Sequence, residues 1–415
     1  MAEKTTAELL FISLQNVWQQ PYFDHFAALT AAQWDDLGKY ARRQQVAGLF
    51  YQRLRQHGLD KIAPAALLIK GQQQAQQNTV RNLRLYHDLN QLVTRLHTQQ
   101  IPVILLKGAY LAAAVYEQIA LRQMVDLDIL VPLERLEDAV ATVTQLGYQP
   151  LTPIGNLQGH LQHDHHLPRF VKTGAVSVEI HWTITRPNPA YTIPIQALWA
   201  RAQPATVAGV EVACLCPEDL LLHVCLHATY HHFLEQGIRF LCDIAAIRKW
   251  FADTLDWAQF VQRAQQWGWA PGVYLALQLA VDLLDAGVPA VVLLALKPKS
   301  EEGQMLADAQ TWLSAQRVTV AQPVSRNFSQ MWHDGRILDK ANKLIQSIFL
   351  PRTVLTTLYP VAADSPIVYL YYLVRIKDLL MRYSQKGWQI WRGEQAILTV
   401  TKNQNRLLNW LHSRP

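Results

Sequence analysis

The feature that most constrains the fold is a change of hydrophobic pattern near residue 101. Before it, apolar residues recur at three- and four-residue spacing in a Gln-rich stretch, as at Leu85, Leu89 and Leu92, which predicts helices over residues 1–96. The continuous run IPVILL at 101–106 then predicts a short strand buried on both faces. A sheet is therefore expected to begin where the helical pattern ends.

Short strands and helices alternate over the next hundred or so residues. Helix composition at 109–118 is followed by the strand candidate VDLDILV at 125–131 and by a helix at 133–148. Gly174 separates two further strand candidates, 165–172 and 176–184, as in a hairpin. Helical patterns resume at Pro217, and we predict helices at 238–251, 256–267, 270–284, 335–349 and 367–384.

This order predicts a mixed α+β fold in which a small α/β core lies between two helical regions. The boundaries we expect are an N-terminal helical region at 1–96, the α/β core at 97–215 and a C-terminal helical domain at 216–415.

Composition excludes several classes of protein. Charged residues make up 17% of the 415 residues and the net charge is +6, which argues against a disordered chain and allows a nucleotide partner without demanding one. No stretch is long and apolar enough to span a bilayer, and no signal peptide is recognised. We read the four cysteines, at 214, 216, 225 and 242, as reduced core thiols, and we expect a cytoplasmic protein.

Asp126 and Asp128 are the candidate metal ligands. They lie two apart on a predicted strand, so both carboxylates project from one face while Leu127 projects from the other. Close carboxylates repel unless a cation joins them, and oxygen ligands of this kind suit Mg²⁺. The alternative is a solvated strand edge.

Glu179 lies on a later predicted strand, and it would complete a triad if that strand neighbours the first. Such a triad could hold two metal ions at a phosphoryl-transfer site, or Glu179 could simply pair with an arginine. Gly108, after the first strand, would let backbone amides approach a phosphate. Lys107 and Arg122 are candidate triphosphate contacts; the alternatives are a surface lysine and an ordinary ion pair.

Together these segments resemble the polymerase-β-like nucleotidyltransferases, and within them a bacterial nucleotidyltransferase-like family. The resemblance rests on Leu106-Lys107-Gly108, Arg122, Asp126-Leu127-Asp128 and the strand Glu179-Ile180-His181-Trp182, and extends into the helical part, through Pro217-Glu218-Asp219, His227 and Arg239 to Asp243. One departure is the turn Gly108-Ala109, because the superfamily usually has Gly-Gly or Gly-Ser there.

The resemblance implies a Mg²⁺-dependent enzyme, with Mn²⁺ as a substitute, that moves a nucleoside monophosphate from an NTP to an acceptor hydroxyl and releases pyrophosphate. Asp126, Asp128 and Glu179 would be catalytic and hold the metal, and Lys107, Gly108 and Arg122 would bind the nucleotide, most simply ATP. The acceptor could be a small molecule, a peptide or a protein hydroxyl, with tRNA less favoured, and the oligomeric state is not predicted. The rival is a catalytically weak nucleotide-sensing or partner-binding protein on the same fold.

The histidines suggest a third and weaker interpretation. His223, His227 and His231 share one face of a predicted helix, a spacing that could ligate zinc in a hydrolase, but the Glu of His-Glu-x-x-His is absent. Polar packing is the favoured role for this face. We expect His181 to face the opposite side of the sheet from Glu179, and Asp243 to pair with Arg239 at i−4.

Overall fold

A computed structural model describes residues 4–155, 157–187, 193–298 and 302–315, and beyond these 345, 348–352, 354–355, 359, 361, 365–391, 403 and 405–411. The chain clusters into two compact units. One comprises residues 1–149 and 169–317, and the other 150–168 and 318–414. The helix expected at 335–349 lies almost entirely outside the described residues.

The N-terminal part is helical, as predicted. The helices are α1 (Thr6–Leu14), α2 (Pro21–Ala27), α3 (Ala31–Arg43), α4 (Ala47–Gln56) and α5 (Ala65–Thr98). Thr5 and Thr30 begin α1 and α3 with reciprocal capping boxes, which satisfy backbone donors that a helix start leaves open. The leucine stripe of α5 is fully buried, so the periodicity marks the face that packs on the core.

One mixed sheet forms the centre of the first unit. Its strands are β1 (Ile104–Leu105), β2 (Asp126–Leu130), β3 (Gln149–Pro150), β4 (Phe170–Val171), β5 (Ser177–His181), β6 (Gln203–Val207) and β7 (Val210–Cys214). They follow the order β3-β4-β5-β2-β1-β7-β6. β4 and β5 are the antiparallel hairpin expected around Gly174, whose φ is +77°.

β2 and β5 pair in parallel, and their register sets the site. Asp128 lies opposite Glu179, and Leu130 lies opposite His181. Leu127, Ile129 and Ile180 are completely buried on the other face of the sheet. The apolar residues therefore fix which face the carboxylates occupy, because a slip of one residue would reverse both sets.

The segment after β1 departs from a regular helix. Lys107 has φ +43°, in the left-handed region that side chains rarely adopt. It begins the single turn α6 (Lys107–Tyr110), and a π-helical turn follows at Leu111–Val115. The helix expected at 109–118 is thus shorter and wider than its composition predicts.

Helices make up the rest of the described chain. They are α7 (Leu136–Gln145), α8 (Leu157–His163), α9 (Ile195–Arg201), α10 (Pro217–Leu226), α11 (Arg239–Trp250), α12 (Trp257–Gln266), α13 (Ala270–Leu284), α14 (Ala290–Leu296), α15 (Glu302–Ser314) and a later helix at Val368–Trp391. Among the described helices, none combines the length and the apolar character that a membrane crossing requires. The four cysteines are free and buried, as expected. The predicted fold class, an α+β core with helical flanks, is confirmed.

Candidate functional site

The three predicted carboxylates meet at one cavity. Asp126, Asp128 and Glu179 line a pocket of about 150 Å³ on the polar face of β2 and β5, together with Lys107 and Gly108. Single ligand atoms of Asp128, Glu179 and His181 all lie within 4.8 Å of one another. The condition set for Glu179 is met, because β5, which carries Glu179, pairs directly with β2.

Asp128 is the most enclosed of the three predicted carboxylates. The Lys107 ammonium lies 3.3 Å from its Oδ1, and His181 Nε2 lies 3.0 Å from the same oxygen. Burial disfavours the charge of Asp128, but Lys107 and His181 outweigh burial and hold the pKa of Asp128 below its ordinary value. Asp128 is thus ionised without a metal ion.

Asp126 has the opposite environment. Burial, then the charges of Asp128 and Glu179, raise its pKa from an ordinary 3.8 to about 6. Arg169 is its only charged hydrogen-bond partner among the described residues, and Nη2 of that arginine is 3.5 Å from Oδ2. Asp126 and Asp128 look equivalent in the sequence, but the fold raises the pKa of the first and lowers the pKa of the second.

Arg169 is a site residue that the sequence reasoning missed. Its Nε and Nη2 donate to Oε1 of Glu179 at 3.1 and 3.0 Å. It immediately precedes β4, the hairpin partner of β5. The sequence pattern that could have identified it is a basic residue beside a strand that pairs with the Glu179 strand. The arginine partner that was the alternative for Glu179 is therefore present.

The expectation for His181 is wrong. Glu179 and His181 are two residues apart on β5, so strand alternation places them on the same face. The His181 ring is 1% exposed, and its Nε2 lies 3.8 Å from Oε2 of Glu179 in addition to its contact with Asp128. His181 is thus a potential nitrogen ligand inside the carboxylate group.

Arg122 lines the cavity, but two of its nitrogens are already engaged. Nε and Nη2 each donate to one oxygen of Asp243 at 2.8 Å, and the Tyr116 hydroxyl donates to Oδ1 of Asp243 at 2.8 Å. Burial opposes the charge of Arg122, but Asp243 raises its pKa. The expected pairing of Asp243 with Arg239 is therefore replaced by a buried bidentate pair with Arg122. Asn82, on α5, holds the Arg122 backbone by donating to its carbonyl oxygen at 2.9 Å.

Gly108 is needed for space. A Cβ at this position would lie 2.5 Å from Nη1 of Arg122, closer than side-chain atoms approach. The absence of a side chain therefore lets the turn after β1 close against the Arg122 guanidinium. The left-handed Lys107 immediately before it is a strained position of the kind that clusters at functional sites.

The helical histidines form one edge of the same cavity. His227 and His232 line it, and their Nε2 atoms are 3.0 Å apart. Burial, then the charge of Lys107, lower the pKa of His232 to about 3 and hold the pKa of His227 well below the ordinary value. The metal-ligand group found in the described part of the chain does not include these histidines, and their role in polar packing stays a prediction.

The cavity is electrostatically balanced. Its lining includes four basic side chains and four acidic ones, with the histidines neutral: Lys107, Arg122, Arg169 and Arg239 against Asp126, Asp128, Glu179 and Asp243. An anion as highly charged as a nucleoside triphosphate would meet no net attraction there. Divalent cations bound to the carboxylates would supply it.

Three comparisons with known proteins bear on the identity of the chain. No curated protein sequence matches the chain. Among solved structures, the solution structure of the antibiotic-resistance factor ANT(2'')-Ia matches with 15% identity and a TM-score of 0.31, over 45% of this chain and 91% of that one.

The family model described as "uncharacterised nucleotidyltransferase" matches residues 30–285. This span contains all of the predicted site residues. The chain belongs to this nucleotidyltransferase family.

Proposed function

We propose that the protein transfers a nucleoside monophosphate from an NTP, with ATP favoured, to an acceptor hydroxyl and releases pyrophosphate in a Mg²⁺-dependent reaction. The observation that carries the proposal is the parallel register of Asp128 with Glu179, which brings carboxylates from two strands together on one face. Family membership supports the reaction class.

The donor set fits a hard divalent cation. Carboxylate oxygens suit Mg²⁺, and the nearby imidazole of His181 makes Mn²⁺ a compatible substitute. We assign Asp126, Asp128 and Glu179 as the residues that would hold the metal. A bound metal would neutralise charge on the reacting phosphate and on the leaving group.

Side chains of the protein would accept the proton of the acceptor hydroxyl and contact the phosphates. Glu179 would also accept the proton of the acceptor hydroxyl. Lys107, Gly108 and Arg122 would contact the phosphates, Lys107 as a point charge beside Asp128 and Gly108 by leaving room for close approach. Arg169, released from Glu179 and Asp126 when a cation replaces it, would remain at the edge of the cavity as a further positive charge.

Incubation with each of the four labelled NTPs tests the reaction. The purified protein and a cell extract are mixed with Mg²⁺ and the labelled nucleotide, and mass spectrometry searches for nucleotidylated small molecules, peptides, proteins and tRNA. A mass increase equal to one nucleoside monophosphate, together with pyrophosphate, is expected. Nucleotide hydrolysis without any labelled acceptor would contradict a transferase.

A catalytically weak nucleotide sensor or partner-binding protein is the second candidate. The observation that favours it is the engagement of all three carboxylates by Lys107 and Arg169 without a metal, which a sensor could retain unchanged. The turn Gly108-Ala109, which lacks a hydroxyl, points the same way. Nucleotide binding without pyrophosphate release in the extract would favour this candidate.

A further inference from the structure

Arg239 is a basic side chain of the cavity, and no carboxylate of the described residues forms an ion pair with it. It is the first residue of α11 and lines the pocket together with Lys107 and Asp128. Its Nη1 donates to Oε1 of Gln45 at 2.6 Å and to the carbonyl oxygen of Gln123 at 3.3 Å. Both partners are neutral, so they hold the guanidinium in place without compensating its charge.

The carboxylate that sequence spacing would give to Arg239 is already used. Asp243 lies one turn further along α11, but Arg122 takes both of its oxygens and Tyr116 donates to one of them. Two arginines therefore share one carboxylate at this wall of the cavity. Burial, and next the charge of Arg122, lower the pKa of Arg239 by more than the charges of Asp243 and Asp126 raise it, so nearby negative charge compensates this cation only in part.

An uncompensated cation in a partly buried position costs stability. Arg239 differs in this respect from Arg122 and Arg169, whose ion pairs are complete within the described chain. A guanidinium also presents several donors in a planar fork that matches phosphate oxygens. A phosphate group would supply the negative charge and the acceptor oxygens that match this guanidinium.

We propose that Arg239 binds the phosphate chain of the nucleotide, in addition to the contacts proposed for Lys107, Gly108 and Arg122. This inference rests on the proposed nucleotide site and adds to it a phosphate contact from the helical part of the chain. Arg122 keeps Nε and Nη2 on Asp243, and this pair orients the wall on which Arg239 stands.

Calorimetric titration with magnesium tripolyphosphate and with MgATP tests this assignment. Arg239→Gln removes the charge but keeps a hydrogen-bonding side chain, and we expect it to weaken binding of both ligands at least about tenfold. Arg239→Lys keeps the charge but loses the fork and should fall between. The matched control is Arg263→Gln, since Arg263 pairs with Asp219 outside the cavity and its loss should leave both affinities unchanged.

Melting of the ligand-free variants separates binding from a structural role. Because the charge of Arg239 is only partly compensated, Arg239→Gln should melt at or above the wild-type temperature at low salt. Unchanged tripolyphosphate binding, or a clearly lower melting temperature, would overturn the assignment. If Arg239-dependent binding is found but no acceptor is ever labelled, the transfer reaction fails and the phosphate contact stands; if wild type binds neither ligand, both fail.

Discussion

At the scale of single residues, the two aspartates of β2 have opposite electrostatic roles. Asp128 has Lys107 and His181 as partners, whereas Asp126 has its pKa raised to about 6 by burial and by its acidic neighbours. Strand alternation predicts that both side chains lie on one face of the sheet. It does not predict which of the two carboxylates will have its pKa raised by the repulsion between them.

Neutralising each aspartate should therefore change stability in opposite directions. In chelator at pH 7.5, Asp126→Asn should stabilise the protein by about 1–2 kcal/mol, since it removes an unfavourable charge. Asp128→Asn should destabilise it by about 2–4 kcal/mol, because Lys107 and His181 lose a charged partner. Denaturant unfolding of the three proteins measures both; the same sign for the two variants would contradict this account.

The pH dependence follows from the raised pKa of Asp126. Below its ordinary value of 3.8 the carboxyl is protonated in both the folded and the unfolded state, so it costs nothing. Between about 4 and 6 only the folded state retains the proton, and stability falls as pH rises. The advantage of Asp126→Asn over wild type in chelator should therefore grow across this window and level off above it.

Asp128 also separates an enzyme from a sensor. Asp128→Asn keeps the side-chain shape and removes a charge that would hold the metal, so turnover should fall at least about 100-fold, equivalent to about 2.7 kcal/mol of lost transition-state stabilisation. Pyrophosphate release under saturating nucleotide is the measurement. Wild-type turnover in this variant would remove Asp128 from the metal site.

Gly108 gives a steric prediction. Gly108→Ala should destabilise the protein by about 1–3 kcal/mol, because its Cβ would press on the Arg122 guanidinium. Gly303→Ala on α15 is the matched control: nothing lies within 4 Å of a Cβ there, so it should be neutral or slightly stabilising. Thermal unfolding of both variants decides the matter, and equal effects would argue against a packing role for Gly108.

At the scale of elements, the pair between Arg122 and Asp243 joins the segment before β2 to α11. Sequence separation hides such a pair, since only the folded chain brings these positions together. Asp243→Ala should cost about 3–5 kcal/mol because it leaves a buried guanidinium unpaired. Tyr116→Phe should cost only about 1 kcal/mol, and a result in which both cost the same would show that the ion pair contributes little.

The elements themselves were largely predictable where hydrophobic period and length agree. β2 and the helices α11 to α13 fall within one residue of their predicted limits, and β5 ends three residues before its predicted limit. β6 was not predicted, because its sequence, Gln203-Pro204-Ala205-Thr206-Val207, has little apolar alternation. It forms a strand through its antiparallel pairing with β7. The π-helical turn after α6 was missed because no residue pattern distinguishes it from an α-helix of the same composition.

At the scale of the whole molecule, the equal numbers of acidic and basic side chains that line the cavity lead us to expect that nucleotide binding would depend on the metal. An NTP with Mg²⁺ should stabilise the folded protein by about 2.7 kcal/mol at a hundredfold excess over Kd. The melting temperature should rise accordingly. The NTP alone should give a much smaller shift. Differential scanning calorimetry with all four NTPs tests this, and no shift with any of them would contradict both the enzyme and the sensor.

The division at residues 97 and 216 is a prediction from changes of secondary structure. In the structure, residues 1–149 and 169–317 form one compact unit, in which α5 supplies Asn82 to the loop that carries Arg122. The sequence could show where helices give way to strands. It could not show that a helix far upstream would hold a residue of the site.

The parallel pairing of β2 and β5 has a consequence for altering this protein. Between the two strands the chain runs from residue 131 to 176 and passes through the second compact unit, yet the spacing of Asp128 and Glu179 depends only on the hydrogen-bonded register. Lengthening this connection near residues 151–155 should leave the two carboxylates in place. Inserting one residue between Ser177 and Glu179 would instead turn the Glu179 carboxylate toward the apolar face of the sheet. Of two insertions a short distance apart in sequence, only the second would therefore disrupt the carboxylate site.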